Sequence, residues 1–492
     1  MRNIIIIVIL FVACFAFSSC SGILAGNTQV EEISVENQAD TGSETSSKTT
    51  GKQTSISNSS ELIQPSDLKY MGAFRLPDME EGTPEGATWE YGGRAMTYYP
   101  EGDPNRPDDG YPGSIFATGF DIYNYVSEIA IPVPVISPTK NLNELNTAET
   151  LQPFSDVSGG LFTSLTEIPR VGMQYLSTPQ TGGKIHLAWG QHFQEEEGVT
   201  IIPSHAWIET DLSNPQTKGA WWIGNQSLYS TNGYIFEIPK EWADANAGGR
   251  YLATGRFRDG GWSGQGPSLL AYAPWLSGNP PEPGTRLSEI PLLLYSSTRS
   301  GDQTPPDYKL NDYQHPDEWE GGAWLTTASK KSSVIFVGTK GTGDFYWYGW
   351  LNPDDPEKPC VETEITDMVL CHNADGTPAS EEISKGCDNH TSDRGWWSSK
   401  FNAQIIFYDP ANFAAVADGK MQPYEPQPYA AMNIDEYLFL ADPTVEFIST
   451  GTGEQRRYRM GETCYDRDNG FLYVFELFAD GAKPVVHVWG VQ

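Results

Sequence analysis

A short pattern that occurs five times between residues 93 and 491 constrains the fold more than any other feature of the sequence. Each unit starts with a glycine that opens an alternating strand; a turn and a second, apolar strand follow. The opening glycines are Gly93, Gly172, Gly233, Gly322 and Gly461. A third strand follows in every unit, and a weaker fourth strand follows in the first four. Alternating strands separated by turn residues indicate small antiparallel sheets.

The fifth unit has no fourth strand, because the chain stops at Gln492 just after its third strand at 485–491. One strand without a partner, at 69–77, stands at the other end of the repeat. These units predict an all-β fold, a five-bladed β-propeller whose N-terminal strand closes the last blade. Such closure removes exposed strand edges. The alternatives are a pair of β-sandwiches, or six or seven blades with one or two unrecognised.

Composition agrees with short strands and excludes some partners. The 49 glycines and 35 prolines among 492 residues disfavour long helices. The formal charge of −33 disfavours nucleic acid, whose binding depends on Lys and Arg releasing counterions from phosphates. It also disfavours peripheral binding to anionic lipid. We therefore expect a neutral or cationic ligand, or another protein.

The N-terminus predicts export. A short basic start precedes an apolar run at 4–17, which is the length of a signal-peptide core. Ser18, Ser19 and Cys20 follow, and small residues before a cysteine resemble the bacterial lipobox. The resemblance implies cleavage before Cys20 and a lipid on its sulfur, with the protein held in the cell envelope, at the outer membrane or cell surface. Cys14 is a competing site with a shorter core, and an ordinary secretory signal is the other alternative.

The predicted organisation is therefore a lipoprotein signal peptide at 1–19, a lipidated cysteine and disordered tether at 20–64, and one propeller domain at 65–492. The tether is rich in Ser, Thr, Asn, Gln, Glu and Gly and has no aromatic residue between 27 and 60. Such a segment buries too little surface to offset its ordering entropy. We expect the long loops to share one face of the propeller, with an insertion at 340–403 as the largest.

Charged residues near the opening glycines are the candidate site. The repeat places them around one central opening, where paired carboxylates could act as acid and base on a glycan. The candidate catalytic residues are Glu90, Glu320 and Glu462, and the predicted ligand lies against blades 4, 5 and 1. The alternative is that these glutamates pair with arginines and only line a wet channel. Candidate ligand-binding residues, at strand starts and second-strand ends, are Arg94, Arg170, His192, Arg258, Asp259, Asp344 and Arg459.

Other chemistry has little support. No HxH or HExxH spacing is present, so we expect no zinc site. Residues 352–355, Asn-Pro-Asp-Asp, could bind calcium but lack the spacing of a known loop. The absence of GxSxG disfavours a nucleophile-elbow hydrolase. Cys360, Cys371 and Cys387 are disulfide candidates that would staple the long loop, whereas Cys464 on an innermost strand is expected to be buried and free.

Three strings together resemble a family of uncharacterised exported bacterial lipoproteins with a propeller-like repeat: residues 68–77, 407–411 and 485–491. The resemblance covers about 67–492 and implies no settled activity or catalytic residues. The layout is also similar to that of five-bladed furanosidase-type glycosidases, without a residue-by-residue match. We therefore expect a membrane-anchored propeller that binds a glycan or protein at its loop face. The alternative is a glycoside hydrolase or lyase that uses the channel carboxylates.

Overall fold

The computed structural model describes residues 61–79, 83–104, 109–163, 170–190, 203–226, 231, 233–256, 265–295, 308–314, 316–347, 396–440 and 456–492. For Arg170, residues 344–347, 396–397 and 399 it describes the backbone only. The chain separates into two units between Ser57 and Asn58, and all described residues belong to the second unit. None of the described helices is long and apolar enough to cross a membrane.

The strands follow the five units of the repeat. The first strand is β1 (Leu68–Arg75). Blade 1 contains β2 (Met96–Tyr99), β3 (Ser114–Thr118), β4 (Val126–Ala130) and β5 (Thr150–Ser155). Blade 2 contains β6 (Arg170–Thr178), β7 (Gly182–Gly190), β8 (His205–Ile208) and β9 (Lys218–Ile223). Blade 3 contains β10 (Ile235–Glu237), α1 (Lys240–Asn246), β11 (Leu252–Thr254), β12 (Ser268–Tyr272) and β14 (Glu289–Leu294), with β13 (Arg286–Leu287) before its last strand.

Blade 4 contains β15 (Glu318–Thr326), β16 (Ser332–Trp347), β17 (Trp396–Tyr408), α2 (Pro410–Ala417) and β18 (Ala430–Asn433). Blade 5 contains β19 (Met460–Asp466), β20 (Phe471–Asp480) and β21 (Lys483–Val491). Each blade is an antiparallel meander, and β13 adds a fifth, parallel strand to the outer edge of blade 2.

The five sheets form a closed ring around their innermost strands. β2 contacts β6, β6 contacts β10, β10 contacts β15, β15 contacts β19, and β19 returns to β2. Five hydrophobic clusters fill the spaces between neighbouring blades. The five-bladed β-propeller predicted from the repeat is confirmed.

The N-terminal strand closes the ring. β1 pairs with β21 along its length, from Leu68 opposite Val491 to Arg75 opposite Val485, and the outermost place in blade 5 is thereby filled. The free edge of β1 is partly covered, because Ala73 forms an antiparallel bridge with Val135. This arrangement confirms the predicted N-terminal closing strand and protects the sheet edge from further pairing.

The opening glycines allow the innermost strands to approach one another. A Cβ on Gly172 would lie 2.0 Å from the carbonyl oxygen of Gly233, and a Cβ on Gly461 would lie 2.2 Å from that of Gly93. Any larger residue would push neighbouring blades apart at these points. At Gly172 and Gly461 a side chain would therefore separate the innermost strands of neighbouring blades.

The structure differs from the sequence interpretation at the ends of the predicted 340–403 loop. β16 continues to Trp347 and β17 begins at Trp396, so both ends of that range are paired strand. These two strands extend past β15 and β18 as a two-stranded ribbon. Residues 348–395, which include Cys360, Cys371, Cys387 and the possible calcium loop at 352–355, lie outside the described residues.

Candidate functional site

Two glutamates lie in matching β-bulges on neighbouring innermost strands. In β15, Trp319 and Glu320 form the extra segment between the pairs Glu318–Thr339 and Gly321–Val337. In β19, Gly461 and Glu462 form the same kind of segment between Met460–Glu476 and Thr463–Val474. A bulge re-aims the side chain that it carries. Both glutamates are buried, with 2% and 0% exposure.

Arg94 of blade 1 reaches across the ring to this pair. Its Nη1 donates to Glu320 Oε1 at 2.8 Å, although blades 1 and 4 are separated by blade 5 in the ring. Its Nε lies 3.9 Å from Asp121 Oδ2, and its guanidinium is 5.8 Å from the ring centre of Tyr458. We call Arg94, Glu320 and Glu462 the hub cluster; the ion pair closes the central channel on one side.

Glu462 is the fully buried carboxyl of the hub cluster. Burial raises the pKa of its carboxyl well above the usual value, and the nearby Glu320 raises it further. Its Oε1 accepts the amide of Thr463 at 2.9 Å. Its Oε2 is buried and has no hydrogen-bond partner among the described residues. A protonated Glu462 fits this environment, because the carboxylate of Glu320 would repel an ionised Glu462.

A second arginine closes the other end of the channel. Arg467 follows β19 in blade 5, and its Nε lies 3.3 Å from Glu237 Oε2 in blade 3. Its Nη1 also donates to the Trp324 carbonyl and the Thr326 hydroxyl in blade 4. A cavity of about 10 Å³, roughly one water in size, remains beside Cys464. Among the residues that the structure describes, the centre of the propeller is thus packed and shows no open pore.

Cys464 lies in this packed centre. Its thiol is buried and forms no disulfide, and burial raises its pKa well above the ordinary value. An uncharged, buried thiol is unreactive, because the thiolate is the nucleophile and the metal ligand. The expectation that Cys464 is buried and free is confirmed.

The face of the propeller that carries the connections between successive blades, which we call the loop face, bears a row of aromatic rings. Ring centres are separated by 6.3 Å from Phe478 to Tyr91, 5.3 Å from Tyr91 to Phe120, 5.8 Å from Phe120 to Tyr123, and 5.5 Å from Tyr123 to Tyr125. We call these five residues the aromatic track. All but Phe478 are partly exposed.

The aromatic track stands on two loops that hold each other in place. Phe120 donates its amide to the Thr88 carbonyl at 2.9 Å, and Asn124 Nδ2 donates to the Asp121 carbonyl at 2.7 Å. Gly86 lies against the Tyr123 ring so closely that a Cβ there would be 2.3 Å from it. Rings fixed in this way lose little conformational freedom when a ligand covers them.

The track begins beside the hub cluster and bears acidic groups. Asp121, next to Phe120 in sequence, faces Arg94. Burial raises the pKa of Tyr91, and Glu90 and Asp121 raise it further. Desolvation raises the pKa of Tyr123, as does its hydrogen bond with Glu85. Glu85 and Glu90 are exposed. The loop face of blade 1 therefore combines aromatic surface with carboxylates.

The structure places the predicted residues in different surroundings. Glu320 and Glu462 lie together with Arg94, whereas Glu90 is exposed beside Tyr91. Arg459 is 2% exposed, and its Nη1 lies 2.7 Å from Asp435 Oδ1, so it ties blade 5 to blade 4. Arg170 and Asp344 have only their backbones described. The others lie outside the described residues: His192, Arg258, Asp259 and Cys20.

Sequence reasoning did not single out the aromatic track or Asp121. The signal is present as the string Phe120–Tyr125, three aromatic residues and an aspartate in six positions directly after a second strand. Connections of this kind lie on the same face as the starts of the innermost strands, so the string could have been placed beside Arg94.

The described residues give no sign of a metal centre: no group of three or more His, Cys, Asp or Glu there could hold an ion. No protein-family model and no curated protein matches the chain. The family resemblance drawn from residues 68–77, 407–411 and 485–491 therefore stays a prediction.

Proposed function

We propose that this chain is an extracytoplasmic lipoprotein whose propeller binds a glycan on the loop face of blades 5 and 1. The observation that carries the proposal is the aromatic track, a row of partly exposed rings on braced loops beside the hub cluster. Aromatic rings with polar edges suit the apolar faces and hydroxyl rims of sugars. The track crosses from blade 5 to blade 1, inside the region where the repeat predicted the ligand.

Binding without chemistry is favoured because one channel carboxylate is paired and the other is fully buried. Glu320 is paired with Arg94 and Glu462 is fully buried. A groove on blade 1, lined by Trp89, Phe154 and Pro77 among others, has a volume of about 110 Å³. That is below the roughly 300 Å³ of a typical small-molecule pocket. A shallow surface suits a glycan chain better than an enclosed substrate.

Glycoside hydrolysis or lysis is the second candidate, and one observation favours it. The raised pKa of Glu462 beside a second carboxylate is the arrangement that a general acid requires. Incubating the propeller with the glycan that it binds and measuring new reducing ends or unsaturated products separates the two candidates. Product formation that is lost in Glu462→Gln would support the enzyme.

The binding proposal is tested on a soluble chain of residues 61–492 with a glycan array followed by calorimetry on the best ligand. Tyr123→Ala should weaken binding about tenfold, or about 1.4 kcal/mol, because it removes one stacking surface. The matched control is Tyr251→Ala, since Tyr251 follows α1 on the opposite face. If no glycan binds, or if both variants bind equally well, the proposal is wrong.

The anchor is tested in the full chain. Cys20→Ser should move the protein from the membrane fraction to the soluble fraction, because the thioether-forming sulfur is removed. Cys14→Ser is the matched control and should leave the protein in the membrane fraction. Release by Cys14→Ser alone would place the lipid on Cys14, and detergent-dependent extraction of both variants would refute lipidation at either cysteine.

A further inference from the structure

Acidic side chains lie beside Tyr91 and Tyr123 of the aromatic track. Glu85 hydrogen-bonds Tyr123, and Glu90 and Asp121 both act on Tyr91. Glu85 and Glu90 are exposed, and Asp121 is partly exposed. Three carboxylates thus lie along the middle of the track, in a chain whose formal charge is −33.

The positive charges near this surface already have partners. Arg94 is bound to Glu320, and Arg459 is paired with Asp435. Arg456 donates to the Leu477 carbonyl and is 1% exposed, and Arg457 also has a partner. Lys483, in the turn that accepts the Tyr91 amide, lies between Asp78 and Asp480. Of the three carboxylates, Asp121 lies beside Arg94, so a ligand on the track meets the exposed carboxylates of Glu85 and Glu90.

Aromatic faces and carboxylates attract the same kind of group. A cation over a tyrosine or phenylalanine ring is stabilised by the negative face of the ring, and exposed carboxylates attract the same cation over a few ångströms. A sugar that carries uronate or sulfate groups would be repelled by Glu85 and Glu90. The contacts between ring centres of 5.3–5.8 Å make Tyr91, Phe120, Tyr123 and Tyr125 one continuous surface.

We propose that the glycan ligand of the aromatic track is cationic, an oligomer of amino sugars with free, protonated amines. The inference rests on the proposed glycan-binding function and names its substrate class. The sugar rings stack on Tyr91, Phe120, Tyr123 and Tyr125, and the ammonium groups lie against the exposed Glu85 and Glu90. N-acetylation removes the charge and so removes the second set of contacts.

The test compares four probes on residues 61–492 by calorimetry: glucosamine hexamer, N-acetylglucosamine hexamer, galacturonate hexamer and hexalysine. We expect the glucosamine hexamer to bind at least about tenfold more tightly than the N-acetylated one, with no binding of galacturonate. The preference should fall as salt rises, because exposed charges are screened. Hexalysine should bind weakly, since it has no ring faces.

Variants assign the preference to the carboxylates. Glu90→Gln alone should lower the affinity for the glucosamine hexamer about threefold, and the double variant Glu85→Gln, Glu90→Gln should abolish the preference over the N-acetylated hexamer. Glu241→Gln, an exposed glutamate of α1 on the opposite face, is the matched control. Because Glu85 and Glu90 are both exposed, we expect both variants to fold like the parent chain.

The outcomes separate the two proposals. Equal or tighter binding of the N-acetylated hexamer, or an unchanged preference in Glu90→Gln, overturns the cationic ligand and leaves the glycan-binding function standing. Hexalysine binding as tight as that of the glucosamine hexamer overturns the amino-sugar assignment in favour of a basic protein partner. A folded protein that binds none of these probes and no glycan on an array overturns both proposals.

Discussion

At the scale of single residues, the two arginines on the axis have the same task. Arg94 joins blades 1 and 4, and Arg467 joins blades 5 and 3. In each ion pair the two residues belong to blades that are not neighbours, so each pair links two blades across the centre of the ring. A buried ion pair adds little net stability compared with apolar packing, but removing one partner leaves an uncompensated charge.

The two hub glutamates should respond differently to the same substitution. Glu320→Gln leaves the buried Arg94 guanidinium without its carboxylate and should lower the free energy of unfolding by about 3–5 kcal/mol. Glu462→Gln replaces an uncharged acid by an amide of similar shape and should change it by less than about 1 kcal/mol. Urea denaturation at pH 7 measures both. Equal losses would show that Glu462 is ionised in the folded protein.

A pair of buried histidines makes stability depend on pH. Burial lowers the pKa of His186 and of His205 to about 3. His205 is hydrogen-bonded to the hydroxyls of Ser204 and Thr254. His186 lies between Trp207 and Trp275, and neither of its ring nitrogens has a hydrogen-bond partner among the described residues.

The direction in which stability changes with pH follows from the lowered pKa values of His186 and His205. Below about pH 6.5 the unfolded chain takes up protons that the folded protein refuses until about pH 3, so stability falls as pH falls. Each histidine contributes a slope of up to about 1.4 kcal/mol per pH unit. Buried acids with raised pKa values, such as Glu462, make stability rise as pH falls. The contribution of one histidine is therefore the difference in pH slope between its variant and the parent chain.

His186→Phe should remove one histidine's share of this slope and leave stability at pH 7.5 nearly unchanged, because the ring has no hydrogen bonds to lose within the described residues. His205→Phe is the matched control: it removes the same proton but leaves two hydroxyls without their ring partner, so it should also lose about 1–3 kcal/mol at pH 7.5. Urea denaturation midpoints measured between pH 7.5 and pH 4.5 give the pH slope and the stability at pH 7.5 of each variant. A parent-like slope in His186→Phe contradicts the argument.

At the scale of elements, strand identity is readable from the sequence but strand length is not. The stretch from Lys340 to Asp344 contains two glycines and is typical of a loop, yet it is part of β16. A Cβ on Gly341 would lie 2.3 Å from Ser398 Oγ, and Gly343 has φ +74° in the bulge after Thr342. These glycines permit close strand pairing, and the same residues are typical of turns.

The start of helix α2 also contains a residue that is typical of two different structures. Pro410 is expected to end a strand, which it does, since β17 ends at Tyr408. It also begins α2, because Asp409 caps the helix by accepting the Ala411 amide at 2.8 Å. Proline in the first turn of a helix costs no hydrogen bond. One dipeptide therefore ends one element and starts the next.

Removing the closing strand should open blade 5. A chain that begins at Asp78 lacks β1 and with it the buried side chains of Leu68 and Phe74; it exposes the whole edge of β21. We expect insolubility or a loss of more than about 5 kcal/mol. Soluble yield and thermal melting measure it, with a chain that begins at Glu61 as the control. If the shorter chain melts like the control, β1 is dispensable for closure.

At the scale of the whole molecule, the repeat predicted which blade carries each glutamate but not how deep each one lies. Glu90, Glu320 and Glu462 all stand near opening glycines, yet only the latter two lie in bulges that bury them. The contact between Arg94 and Glu320 also needed the ring itself, because it joins strands more than two hundred residues apart in blades that are not neighbours. Spacing along the chain carries no information about such a contact.

The closing strand also decides where a mechanical load would act. β1 is the first strand of the propeller, and the Gln492 amide donates to the Asp67 carbonyl at 3.0 Å, so the chain enters and leaves the ring at one place. A pull on the segment before Glu61 is delivered first to blade 4, because the Ser332 amide donates to the Glu61 carbonyl at 3.0 Å and the Ile63 amide donates to Ser333 Oγ at 3.1 Å. The ladder between β1 and β21 is the next structure along the chain to bear the load. The hydrogen bond from Tyr70 to His487, and from His487 to the buried Glu476, fastens β1 to the body of blade 5. A load on the N-terminal segment therefore falls on blade 4 and on the seam that closes the ring before it reaches blades 1 to 3.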